Sequence, residues 1–200
     1  GFQFKDVKIL LTSHAHGDHV EGHALIKELT GAKIYVMQGD EEVVRKGGEG
    51  QYLYKGGWKP AAVDKVLRDG EKVTLGGMSL TAVRTPGHTR GCTTWTMKAK
   101  DRGKTYDVVI VCSPNVNPGY RLVGNGVYPE IATDFAHSFE VWKKLPCDIF
   151  LGAHGNYYGM EAKVKRISAD GPNPFVDPKG YAAYIADRER HYLNTLEKQK

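Results

Sequence analysis

Cysteine is scarce in this sequence, and apolar runs long enough to cross a bilayer are absent. The three cysteines, Cys92, Cys112 and Cys147, lack the C-x-x-C spacing of a structural zinc site. An odd count allows one disulfide and a spare thiol, and such a disulfide implies an oxidising compartment. No apolar stretch approaches the roughly 20 residues of a membrane span, so no membrane partner is expected. The opening Gly1-Phe2-Gln3-Phe4-Lys5 shows no charged segment followed by an apolar one, so no signal peptide is expected. Processed chains lack one too, which leaves the compartment open. Repeats, low-complexity runs and interdomain linkers are also missing, so residues 1–200 read as one domain with room for a core. The net charge of +5 is scattered rather than blocked. It reads as a solvated surface, or else as a cleft that attracts anionic substrates. No basic stripe is interleaved with aromatics, so nucleic acid is not an expected partner. Nothing signals an oligomeric state.

What the chain has in abundance is histidine in one place. Ser13-His14-Ala15-His16-Gly17-Asp18-His19 holds three imidazoles and a carboxylate directly after the apolar run Val7-Lys8-Ile9-Leu10-Leu11. That run reads as a buried strand, which puts the cluster on the loop at its C-terminal end. In α/β folds such loops converge on a ligand crevice. Imidazole and carboxylate suit a divalent ion such as zinc. His14 and His16 share a face of an extended segment and can grip one ion. Asp18 and His19 turn away from that pair and call for a second. The alternative is a histidine-rich surface loop with no metal.

Further along, Gly22 to Leu29 carries Leu25 and Leu29 at helical spacing, with Thr30-Gly31 as a stop. Lys33 to Met37 is a strand that completes a β-loop-α-β unit. Asp40 is read as the cap of a short helix through Arg45. Gly47 to Pro60 has no period and reads as a long loop, in which Tyr52, Tyr54 and Trp58 wall a cleft or cover a core. Lys72–Leu75 and Met78–Arg84 form a hairpin about Gly76-Gly77. Thr93–Lys98 and Tyr106–Cys112 form another about Asp101-Arg102-Gly103. Between these hairpins Thr85-Pro86-Gly87-His88-Thr89 is a loop with a histidine at a strand end. Pro129 to Leu145 is an amphipathic helix, with Ile131, Phe135, Phe139 and Trp142 on one face. Asp148–Leu151 is a strand that runs into Gly152-Ala153-His154-Gly155. Asp177-Pro178 opens a last helix to about Glu197, which buries Tyr181, Tyr184, Ile185, Tyr192 and Leu196.

These residues carry a family likeness. The segments His14-Ala15-His16-Gly17-Asp18-His19, Pro86-Gly87-His88-Thr89 and Gly152-Ala153-His154 resemble the metallo-β-lactamase superfamily. The likeness extends over nearly the whole chain. It implies an α/β fold, an αββα sandwich that holds two zinc ions. Within the superfamily the chain looks most similar to the third structural subclass of true lactamases. Gly87-His88-Thr89-Arg90-Gly91-Cys92-Thr93 continues as in that subclass. Val111-Cys112-Ser113, followed by Asn117-Pro118-Gly119-Tyr120, resembles the segment where those enzymes place a serine near the second zinc. Glyoxalase-type, lactonase-type and RNA-processing relatives usually carry a bridging aspartate where this chain has Cys112-Ser113. Family members also begin with several strands ahead of the metal motif, so this chain is expected to be N-terminally incomplete. One sheet should then show unpaired edges and exposed apolar faces.

The resemblance implies a first ion on His14, His16 and His88 and a second on Asp18, His19 and His154. It implies Zn2+-dependent hydrolysis of the β-lactam amide of penicillins, cephalosporins and carbapenems, with the small-molecule antibiotic as partner. Asp18 would bind metal and orient the attacking water. Ser113 and Asn115 would position solvent or the substrate carboxylate, as opposed to making plain loop hydrogen bonds. Antibiotic resistance and a periplasmic or secreted location follow. Cys92 and Cys112 stand as a disulfide, as buried thiols or as a metal-binding thiolate, and the resemblance favours the disulfide. The rival readings are a lactonase or thioester hydrolase of the same superfamily, and an inactive metal-binding fragment. His23 is read as a surface helix position ahead of a partner to the metal site, and no chemistry is expected of His137 or His191.

Overall fold

The computed structural model describes every residue except Phe2, Tyr52, Tyr54 and Lys55. The reading of Tyr52 and Tyr54 as cleft walls lies outside the described residues. Two sheets form the centre. The first is all parallel, in the order β1 (Ile9–Leu11), β2 (Lys33–Met37) and β3 (Lys65–Leu67). The second runs β4 (Lys72–Leu75), β5 (Met78–Arg84), β6 (Thr93–Asp101), β7 (Lys104–Val111) and β8 (Ile149–Gly152). Its pairs are antiparallel until β8, which joins β7 in parallel with Ile110 opposite Leu151. The helices are α1 (Gly17–Val20), α2 (His23–Thr30), α3 (Glu41–Arg45), α4 (Ile131–Lys144), α5 (Met160–Val164) and α6 (Pro178–Gln199).

Side-chain alternation along the strands builds four layers. Ile34 and Val36 of β2 pack against Val20, Ala24 and Val44 of the first helical layer. Their neighbours Tyr35 and Met37 point the other way, into an inter-sheet core with Leu67, Val73, Ala82 and Trp95. On β7, Ile110 joins this middle core, whereas Val109 and Val111 face α4 and α6. That outer core is aromatic: Phe135, Phe139 and Trp142 of α4 meet Tyr181 and Tyr192 of α6 around Phe150. The arrangement is the expected αββα sandwich, with the expected apolar faces of α4 and α6 turned inward.

Some elements differ from expectation. Strand β1 is shorter than Val7–Leu11 because Val7 closes a 3-10 turn over Phe4–Asp6, and pairing starts only at Ile9. Strand β3 was not legible; three residues are too few for a period, and it exists because β2 offers a parallel edge. Trp58 packs against the first helical core, which settles its role as cover. β1 forms one edge of its sheet, and Phe4, Leu25 and Leu29 are exposed. No helix among the described residues is long and apolar enough to cross a membrane.

Cys92 and Cys112 form a disulfide, whereas Cys147 is free and packs under the outer core. Burial pushes the Cys147 thiol up to about 12, and thiolate is the reactive form. Iodoacetamide at pH 7.5 should therefore leave the native chain unmodified over the time in which the urea-unfolded chain takes one label. Mass spectrometry after reduction should show three labels, and a native chain labelled at the unfolded rate would contradict the burial described here.

Candidate metal centre

The histidine loops lie where the chain leaves strand ends. Residues 12–16 follow β1, residues 85–92 link β5 to β6, and His154 follows β8. What brings the first two together is Asp40, at the end of β2. Its carboxylate accepts the backbone N–H groups of Ala15 and Gly91, each at 2.8 Å, and the Thr89 hydroxyl at 2.7 Å. Burial pushes this carboxyl upward, and the three donors act against that push. Asp40 does stand at the cap position of α3, but its side chain makes no capping bond. Gly87 is needed at the second loop. It has φ +127°, and a Cβ there would lie 2.7 Å from the Phe135 ring. Thr93 N–H donates to the Ser13 carbonyl at 2.7 Å and Trp95 Nε1 to the Thr12 carbonyl at 3.2 Å, which stitches β6 to the first histidine loop.

His14, His16 and His88 are buried, with ring centroids 4.7 Å apart in each pair. His88 Nδ1 donates to the Asn115 carbonyl at 2.8 Å, which leaves the Nε2 lone pair for the cluster. His14 Nδ1 likewise lies against Ser13 Oγ at 3.3 Å. Burial holds all three imidazoles below their ordinary range, His16 at about 4 and His88 at about 3, and neighbouring imidazoles lower His14 and His88 further. They are thus neutral nitrogen donors at neutral pH, the form a metal requires.

A second triad lies alongside, on the first turn of α1 and the loop after β8. His19 Nε2 is 3.1 Å from His154 Nε2, and Asp18 Oδ2 is 3.3 Å from the first and 3.6 Å from the second. Ligands at 2.0–2.1 Å around a tetrahedral ion lie roughly 3.4 Å apart, so this donor set fits zinc. Both triads present three donors within 4.8 Å of one another. Along with Asn115, Asn117, Asn156 and Tyr157, residues of both triads line one cavity of about 380 Å³.

The remaining candidates fall into place around this centre. Asn115 lines the cavity and its Nδ2 donates to Tyr157 Oη at 3.0 Å. Ser113 is fully buried, and its hydroxyl meets the same Tyr157 oxygen at 3.0 Å. His23 is not a surface residue: it is buried, and its Nε2 meets Thr12 Oγ1 at 3.0 Å. His137 and His191 are exposed. Cys112 sits 3.7 Å from His14 Nδ1, but as a disulfide sulfur it offers no thiolate. Sequence reading missed Asp40 as a clamp, Tyr157, and Tyr120, whose hydroxyl donates to the His88 carbonyl at 2.7 Å. For Asp40 the available signal was its place at the end of β2, the strand beside the one that feeds the histidine motif.

The metallo-beta-lactamase superfamily model matches residues 1–154, which contain all six donors. The chain belongs to that superfamily. Its fold superposes on the FEZ-1 metallo-beta-lactamase of Legionella gormanii with TM-score 0.97 and 50% identity, over 100% of this chain and 78% of that one. BJP-1, a subclass B3 metallo-beta-lactamase of Bradyrhizobium japonicum, follows with TM-score 0.93 and 36% identity, over 100% of this chain and 76% of the other. Among curated sequences, a hydroxyacylglutathione hydrolase of Methylococcus capsulatus is 32% identical over 82 residues, 41% of this chain and 26% of that protein. The chain spans less than half the length of the curated relatives it matches. As in other superfamily members, the fold implies a metal cofactor, and the two triads are its candidate sites.

Two predictions follow from the first triad and its clamp. Asparagine caps a helix about as well as aspartate, so Asp40→Asn would be nearly neutral if Asp40 only capped α3. As the clamp, it should instead cost about 3 kcal/mol, because an amide group must face three donors with one oxygen. Urea unfolding of the metal-free chain measures this. The second concerns pH. An unfolded imidazole binds a proton below about 6.5, whereas folded His16 and His88 resist until about 4 and about 3. The unfolded state then holds more protons, so metal-free stability is full above about 6.5 and falls as pH drops toward 4. The slope is about 1.4 kcal/mol per pH unit for each imidazole, and a flat urea midpoint between pH 7 and 5 would contradict the neutral triad.

Proposed function

We propose that this chain forms the catalytic centre of a zinc-dependent β-lactam hydrolase of the subclass B3 type. The observation that carries the reading is the pair of donor triads bordering one cavity, in a chain half identical to a lactamase over its full length. His14, His16 and His88 would hold one ion, and Asp18, His19 and His154 the other. Zinc bound there would supply a Lewis acid for the lactam carbonyl and lower the pKa of bound water toward about 7.

The rest is the work of the chain. Each triad supplies three donors, one fewer than a closed structural zinc site, so an ion held there would keep a position for solvent. Asp18 stands at the cavity rim with 60% of its side chain exposed, placed to accept a hydrogen bond from the attacking water and so orient it. The cavity wall also offers the neutral amides of Asn115, Asn117 and Asn156 and the Tyr157 phenol. No lysine or arginine is among the described lining residues, so a substrate carboxylate would be met by uncharged donors. Asn115 belongs to that wall, whereas Ser113 acts on it only through Tyr157. The Cys92–Cys112 disulfide supports an oxidising compartment, the periplasm or the exterior, and β-lactam hydrolysis there would give its host antibiotic resistance.

A second reading, hydrolysis of a thioester or lactone, is favoured by the hydroxyacylglutathione hydrolase relatives. The test is turnover of a chromogenic cephalosporin, penicillins and a carbapenem by the zinc-loaded protein, alongside a thioester and a lactone panel. Hydrolysis of the β-lactams is expected, with loss on chelation and recovery with zinc. His16→Ala should cost more than the 10–100-fold typical of losing an outer partner of a metal ligand. Turnover of thioesters or lactones with none of the β-lactams would transfer the assignment to the second reading.

A further inference from the structure

We propose that Tyr157 is a positioning residue that fixes the two triads relative to each other, an inference that rests on reading the triads as metal sites. Tyr157 stands on the 3-10 turn Gly155–Tyr158, and its N–H donates to the His154 carbonyl at 3.1 Å. Residue and ligand therefore share one turn, and their rings lie 5.1 Å apart. The Tyr157 ring is held between two neighbours. It stacks on Tyr184 of α6 at 5.2 Å with planes 27° apart. Beside it is Gly152, where a Cβ would lie 2.9 Å from ring Cδ2. A clamped ring makes the phenol oxygen a fixed point.

That oxygen reaches the other triad. It accepts Asn115 Nδ2 and shares a hydrogen with Ser113 Oγ, both at 3.0 Å. Residues 112–117 have no regular structure, so side-chain bonds of this kind decide where the segment sits. Asn115 in turn presents the carbonyl that holds His88 Nδ1. A continuous set of contacts thus runs from His154 through Tyr157 and Asn115 to His88. Groups that hold the far nitrogen of a metal-binding histidine set its orientation and its affinity for the ion. Tyr157 and Tyr184 both follow residue 154, where the family match ends. Ser113 and Asn115, the partners of the Tyr157 hydroxyl, lie inside the matched residues, so the contact joins the two parts of the chain.

The test uses the full chain with Tyr157→Phe, Asn115→Ala and the double variant. Zinc affinity is read by competition with a chromophoric chelator, and Tm is read on the metal-free chain. Phenylalanine keeps the stacking but removes the partner of Ser113 and Asn115, so metal-free Tm should fall by only about 2–6 °C. Affinity at the tighter site should fall roughly tenfold in each single variant. The double variant should fall no further, because both substitutions remove the same bond. Parental affinity in Tyr157→Phe, or an additive double variant, overturns the proposal. Should Tyr157→Phe not fold, Asn115→Ala decides alone, and unchanged affinity there overturns it. Because affinity and not turnover is measured, a chain that binds two zinc ions without opening β-lactams leaves this inference standing. A chain that binds no zinc sinks both readings.

Discussion

The structure depends on one buried carboxylate. Asp40 lies just past β2, yet the hydrogen bonds of its carboxylate go to other segments: Ala15 between the first two histidines, and Thr89 and Gly91 just after the third. Removing a carboxylate from water costs several kcal/mol. Only a full set of donors offsets that cost, and here two of the three are backbone N–H groups that must hold their place. The penalty thus becomes a constraint on the loops: neither can shift without leaving the charge unpaired. His14, His16 and His88 converge because their backbones answer to the same anion, before any ion is bound.

The sheets supply the frame on which this clamp closes. β6 carries bonds in both directions. Thr93 and Trp95 reach the loop after β1, while the Thr94 hydroxyl between them receives Trp142 Nε1 at 2.8 Å and meets Thr85 Oγ1 at 2.9 Å. Alternation along one strand therefore ties the histidine loop on one face to the aromatic core on the other. Ser138 of α4 adds a bond to the Pro86 carbonyl at 2.6 Å, just ahead of Gly87 and His88. The packing of α4, which buries Phe135, Phe139 and Trp142, is in this way part of what positions the third histidine.

How much of this was legible follows from the range of each signal. The ligand-rich stretch from His14 to His19 is dense enough to be read by composition alone. His88 and His154 were legible as histidines in loops at strand ends, and the family likeness made them ligands. The faces of α4 and α6 were legible because they repeat over several turns. Asp40 was read as a cap and not as a clamp, because an aspartate before a short helix looks the same locally whichever way its side chain turns. His23 was read as a surface helix position ahead of a partner to the metal site, but the helix breaks between α1 and α2 and the ring turns inward to Thr12. Tyr157 lies on a four-residue turn with no period, and its partners are about 40 residues away in sequence, Ser113 at 44 and Asn115 at 42. Local pattern reads ligands and layers, and it does not read the bonds that hold them in register.

The two triads are built on different physical terms. The first is dry: three buried imidazoles, their charged forms suppressed by desolvation, with outer nitrogens on a backbone carbonyl and a hydroxyl. The second is open: His154 keeps 41% of its side chain exposed and Asp18 60%, while His19 keeps 13%. Its donors come from the first turn of α1 and the loop before a 3-10 turn, and among the described residues no buried anion clamps them. A dry site braced by Asp40 and by the Asn115 carbonyl keeps its geometry before an ion enters. An open one yields to what enters it, and it brings the only carboxylate of the pair to the solvent side of the cavity. The functional asymmetry follows from burial. In the proposed reading the first triad is a fixed anchor, and the second is where water and substrate can be exchanged, with Tyr157 as the contact that keeps the pliant side in register with the rigid one.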